Sequence, residues 1–212
     1  MKERPILFSG EMVRAIMEGR KTQTRRIVKP QPVDIDNGNV SWYGRSGEGF
    51  SNTPADVMVE MELCPFGTVG DRLWVRETCC IAPRLFSEPD ETCVIDAEGF
   101  KRYVSYKADG HPEFAMRDYG LKWTPSIHMP RWASRITLEI TGVRVERLQL
   151  ISEEDAKAEG IESLRDKCQS LADFDESVTN NDLFRSLWKS IYGPESWNEN
   201  PWVWVVEFKE VK

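Results

Sequence analysis

The chain has 212 residues, with 35 acidic side chains against 28 basic ones and a formal net charge of −7. That balance argues against a protein that coats nucleic acid non-specifically, because such binding needs many phosphate neutralisations; a local basic cleft remains compatible with it. A chain of 24.5 kDa takes its surface from roughly 35,500 Å² unfolded to about 10,000 Å² folded, enough burial for a core without covalent staples.

The five cysteines, Cys64, Cys79, Cys80, Cys93 and Cys168, are odd in number and irregularly spaced. With no secretory signal and no long apolar segment, they are expected as free thiols in a cytoplasmic protein that does not enter a membrane. No pair has zinc-finger spacing, and only His111 and His128 can add imidazoles, so neither a metal site nor a cofactor is expected.

In chain order, Pro5 to Phe8 reads as a short apolar strand. Apolar residues at 12, 13, 16 and 17 fit one helical face, with Ser9 as N-cap and Gly19 as terminator. Next come Arg20-Lys21-Thr22-Gln23-Thr24-Arg25-Arg26, four cations and two hydroxyls in seven residues. The following strand turns Thr22, Thr24 and Arg26 to one side and Gln23 and Arg25 to the other, until Pro30 and Pro32 stop it.

Residues 31–55 read as a long loop or irregular hairpin, whose aromatics Trp42, Tyr43 and Phe50 either stack on a base or pin the loop down. Val57 to Leu63 reads as a strand, and Leu73-Trp74-Val75 as a buried one. Cys79 and Cys80 read as small buried fillers. Residues 83–125 look inserted, with one convincing strand over Tyr103–Tyr106. Trp123 and Trp132 suit plugs for the open side of a small barrel, while Arg131 and Arg135 are candidate phosphate contacts.

From Ile136 to Arg147 apolar and polar residues alternate, and Gly142 predicts a bulge or bend. Ser152-Glu153-Glu154-Asp155 opens a capped helix that Gly160 ends. Leu183, Phe184, Leu187, Trp188 and Ile191 form the stripe of a second helix, expected to start from Asn181 and to stop at Gly193-Pro194. A last strand runs from Trp202 to Phe208. The order suits one α+β domain over 1–212, a small and mostly antiparallel barrel with about three flanking helices and long inserted loops.

Three blocks carry a family resemblance. Gly19-Arg20-Lys21-Thr22-x-Thr24-x-Arg26 resembles the signature of ASCH domains, a branch of the PUA-like β-barrel superfold associated with RNA. Gly70-Asp71-Arg72-Leu73-Trp74-Val75-Arg76-Glu77 resembles the turn and strand that follow in them, and Pro201-Trp202-Val203-Trp204-Val205-Val206-Glu207-Phe208 their closing strand. The smallest bacterial members are N4-acetylcytidine amidohydrolases of about half this length, so 31–55 and 83–125 stand as insertions.

The resemblance implies a catalytic set of Lys21, Thr24 and, from the acidic helix, Glu159. Arg20, Thr22, Arg26, Arg76, Arg131 and Arg135 are the candidate substrate contacts, and the expected partner is RNA or a modified nucleoside. Three functions fit these residues: an amide hydrolase acting on an acylated base, a non-catalytic RNA-binding module, and a ribonuclease. For the hydrolase, a threonine hydroxyl must lose its proton to a neighbour. Lysine accepts it only when neutral, which near pH 7 requires its pKa to fall by about three pH units, roughly 4 kcal/mol.

Overall fold

The computed structural model describes residues 1–35, 39–44, 49–82, 94–110, 122–162 and 177–211. Its main sheet has five strands: β1 (Glu3–Leu7), β2 (Gln23–Ile27), β6 (Arg72–Arg76), β11 (Thr137–Arg147) and β12 (Trp202–Glu210), in the order β1–β6–β11–β12–β2. Only β1 and β6 pair parallel; the other three ladders are antiparallel. The fold is therefore mixed α and β with mostly antiparallel pairing, and among the described residues the strands do not close into the expected barrel.

Consecutive strands β1 and β2 lie on opposite edges of this sheet, and helix α1 (Gly10–Met17) joins them. A side chain spans the gap, since Arg26 Nη2 on β2 donates to the Leu7 carbonyl at the end of β1 (2.6 Å). Bending in β11 helps the edges approach. Its register against β12 shifts between Ile140 and Gly142, where a Cβ would sit 2.6 Å from a carboxylate oxygen of Glu207. The glycine that predicted a bulge marks a real one, at a point where a Cβ would have to push the Glu207 carboxylate aside.

Strand β12 is buried on both faces, which explains its unbroken Trp-Val-Trp-Val-Val run. Trp204, Val206 and Phe208 enter one core with Ile6, Phe8, Val13, Ile16, Leu73, Val75 and Ile140. Val203 and Val205 enter the other, beneath α3 (Glu153–Ala158) and α4 (Asn180–Tyr192), with Ile151, Ile161, Leu183, Phe184 and Trp188. The Ser152 hydroxyl caps α3 through the Asp155 N–H. Helix α4 is capped by Thr179, two residues before the expected Asn181, in a reciprocal box: the Thr179 hydroxyl accepts from the Asp182 N–H and the Asp182 carboxylate from the Thr179 N–H.

Two expectations need correction. Residues 31–55 hold a three-stranded antiparallel sheet of β3 (Val33–Asp34), β4 (Asn39–Tyr43) and β5 (Gly49–Pro54). Here Trp42 is buried, donates to the Pro30 carbonyl and stacks on Phe50 at 6.2 Å, so these rings hold the segment in place. The stretch read as a strand at Val57–Leu63 begins as a four-residue helix, α2 (Val57–Glu60), which seats Met58 in the core.

Smaller ladders pair β7 (Cys79–Ile81) with β10 (Val104–Tyr106), and β8 (Val94–Ile95) with β9 (Lys101–Arg102). Cys64, Cys79 and Cys80 are buried free thiols, and burial pushes the Cys64 and Cys79 thiols up to about 11. Cys79 and Cys80 are buried, as expected of small fillers, and Cys64 is a buried free thiol. Cys93, Cys168 and His111 lie outside the described residues.

Candidate functional site

Main-chain contacts fix the position of Lys21. Its N–H and that of Arg20 both donate to the Ala15 carbonyl after α1, and the Thr22 N–H donates to the Ala158 carbonyl at the end of α3. Lys21 and Glu159 thereby face each other as an isolated antiparallel bridge, although 138 residues separate them. The Lys21 ammonium donates to Glu159 Oε2 and to the Glu159 carbonyl, each at 2.8 Å. The Lys21 side chain is fully enclosed and that of Glu159 is 4% exposed. Burial pushes the lysine pKa down; Glu159 opposes this by charge and hydrogen bonding, Arg26 and Arg25 reinforce it, and the net value lies below 10.5.

Gly160 makes this approach possible. It holds φ +81°, and a Cβ there would lie 2.8 Å from Lys21 Cβ and 3.0 Å from Ala15 Cβ. Gly160→Ala is therefore expected to cost about 2–4 kcal/mol, combining left-handed strain with overpacking. It should displace the ammonium from Glu159. Urea denaturation and the Lys21 ε-carbon NMR shift would register both effects.

The carboxylate is shared. Glu159 Oε1 lies 3.4 Å from Arg25 Nη1, and the same buried guanidinium reaches Glu146 Oε1 (2.5 Å) and Asp155 Oδ2 (2.8 Å). Arg144 completes the network by pairing with Glu146 (3.1 Å), Asp155 (2.8 Å) and Glu207. The Gln23 amide, oriented to satisfy both ends, donates to Asp155 Oδ1 and accepts from Arg25 Nη1. Burial raises the Asp155 carboxyl, but Arg25 and Arg144 outweigh it and hold the pKa below 3.8.

Thr24, Arg25, Arg26 and Glu159 form the polar wall of a narrow cleft of about 40 Å³. The other wall is apolar: Met12 from α1 with Phe184, Leu187, Trp188, Ile191 and Tyr192 from α4. The Trp188 and Tyr192 rings lie 4.3 Å apart, and Trp188 Nε1 is buried without a hydrogen-bond partner. One apolar wall facing a few polar groups is the usual make-up of a small-molecule site.

The structure thus brings Lys21 to Glu159, and Thr24 and Arg26 to the cleft that Glu159 lines. Thr22 is exposed just before β2, and Arg20 turns back to pair with Glu18. Arg76 and Arg131 lie at Trp74, 5.4 Å and 5.8 Å from its ring, on the β6 side of the sheet. Arg135 is saturated. It pairs with Glu77 and Asp109 through both edges of its guanidinium and lies 3.9 Å from the Tyr106 ring. Burial raises the Glu77 carboxyl, with Arg135 opposing; this cluster braces the loop after β10.

Sequence reasoning missed the ionic partners of Arg25 and the apolar wall. The signals were available: Arg144 and Glu146 alternate on one strand, Asp155 and Glu159 stand four apart on one helix, and the α4 stripe extends past its buried positions. Among the described residues no group of three or more His, Cys, Asp or Glu side chains is arranged to hold a metal ion, and no helix is long and apolar enough to cross a membrane. Comparison with protein-family models, curated proteins and solved structures finds no match to this chain.

Proposed function

We propose that this protein is an ASCH-type amide hydrolase acting on an N-acylated nucleobase, with Thr24 as nucleophile and Lys21 and Glu159 as the proton-handling pair. The observation that carries this reading is the enclosed Lys21–Glu159 pair behind a cleft that Thr24 and Glu159 line. A lysine held below its ordinary pKa by burial is suited to accept a proton. The bulged strand, the curled sheet and the α1 junction are compatible with a PUA-like barrel whose ladder has opened.

The neutral Lys21 amine takes the Thr24 proton as Thr24 Oγ1 attacks the acyl carbon. The C–N bond then breaks, and the departing amine receives a proton through Glu159. Water hydrolyses the resulting threonyl ester, so one amide and one water become a free amine and a carboxylic acid. Arg26 supplies positive charge on the polar wall, and the α4 rings offer an apolar surface to the planar base.

Incubation with N4-acetylcytidine, read as release of cytidine and acetate, tests the reading. Turnover is expected in the native protein. Thr24→Val, which removes only the hydroxyl from a buried strand position, should abolish it with little change in Tm. Thr24→Val retaining full turnover would refute the assignment of the nucleophile, and a native protein without turnover would refute the hydrolase.

A further inference from the structure

One face of β6 presents Arg72, Trp74 and Arg76 at alternate positions, all partly exposed, while Leu73 and Val75 enter the core. Arg26, Arg72 and Arg76 have no carboxylate within ion-pair distance among the described residues, and the Nε–H of each is buried without a partner. Among the described residues nine arginines do meet acids, Arg4, Arg25, Arg102, Arg135 and Arg144 among them. Three guanidinium groups without an ion-pair partner, two on β6 and one on β2 that reaches across to the end of β1, are a charge pattern that an anionic ligand would complete.

The row is continuous with the cleft. Arg26 lines the cleft and donates to the Leu7 carbonyl, and Leu7 is the β1 partner of Arg76 in the parallel ladder. Trp74 holds guanidinium groups in place, with Arg76 and Arg131 both near its ring. Arg76 is also tied to the Ile127 carbonyl, and Arg131 to Glu3. Side chains fixed in this way lose little freedom when a phosphate arrives.

From Arg72 to Arg76 the strand advances about 13 Å, and each nucleotide of a stacked strand advances about 3.4 Å. The row therefore matches a run of phosphates better than a single one. Resting on the reading of the cleft as the base site, we infer that the outer face of β6 is a phosphate track. It holds a single-stranded nucleic acid whose acylated base enters the cleft past Arg26.

The test is fluorescence anisotropy with a short labelled oligocytidylate across a range of salt concentrations, with cytidine monophosphate as competitor. Native protein should bind with a log–log salt slope of about −2, three phosphates each contributing about 0.7. Arg72→Gln/Arg76→Gln should lower the slope magnitude by about 1.4 and weaken binding about tenfold. Arg72→Lys/Arg76→Lys, which keeps the charge, should restore most of the slope, and Arg185→Gln on the exposed side of α4 should change nothing. An unchanged slope in the glutamine variant overturns the track, as does the mononucleotide displacing the oligonucleotide at equal concentration. If N4-acetylcytidine is not hydrolysed but the oligonucleotide behaves as stated, the track stands and the hydrolase falls.

Discussion

Glu159→Ala should lower the stability of this protein by about 3–5 kcal/mol, measured by urea denaturation at neutral pH. The mutation takes away the only carboxylate that, among the described residues, is bonded to an ammonium with no contact with solvent, and leaves that charge there with one carbonyl. It also removes one of the three acids around Arg25. An uncompensated buried charge costs far more than a lost surface pair, which is worth at most about 1 kcal/mol. Glu159→Gln, which keeps an acceptor in the same place, should lose less.

The pH dependence distinguishes this from simple cavity formation. In the variant, burial, Arg26 and Arg25 still push the Lys21 pKa below 10.5, without the opposing carboxylate. Between the folded and unfolded values the unfolded chain binds more protons, so stability rises with pH across that window. Glu159→Ala should therefore recover stability as pH climbs toward 10.5. A loss under 1 kcal/mol, or one that does not change with pH, would mean that the pair does not organise the region.

Lys21→Met should reduce turnover of N4-acetylcytidine about 10²–10⁴-fold, the usual worth of a general base. Methionine preserves the unbranched apolar stem that the enclosed site holds, so the loss reports on the amine. In the native enzyme the rate should climb with pH as Lys21 gives up its proton, with a midpoint below 10.5 because burial favours the neutral form. The residual rate of the variant should lack that limb. A variant that keeps either the native rate or the native limb assigns the base to another group.

Local chemistry made several elements legible. Ser9 and Ser152 cap helices where their sequence contexts indicated, and Gly142 and Gly160 sit where a side chain would collide. Val57–Leu63 misled because its loose alternation fits a short strand as well as a single helical turn, and in the structure Val57–Glu60 is helical with Met58 in the core. In residues 31–55 the expected loop or irregular hairpin is an antiparallel ladder of three short strands, whose extent the polar composition did not reveal. The convergence of Lys21 with Glu159 was legible only through resemblance to a family. No local rule joins residues 138 positions apart, and the ionic network around Arg25 depends on four elements meeting at once.

In the main sheet β2 pairs with β12 alone. During vectorial synthesis at about 5–20 residues per second, the edge bearing Thr24, Arg25 and Arg26 thus waits for a mate made some 183 residues later, counting from Ile27 to Glu210. That is a delay of roughly 9–37 s on a ribosome. Glu159, the counterion of Lys21, is made before that mate, so the ion pair can precede the strand that fixes the edge, and the proposed site is complete only in chains whose translation has passed β12.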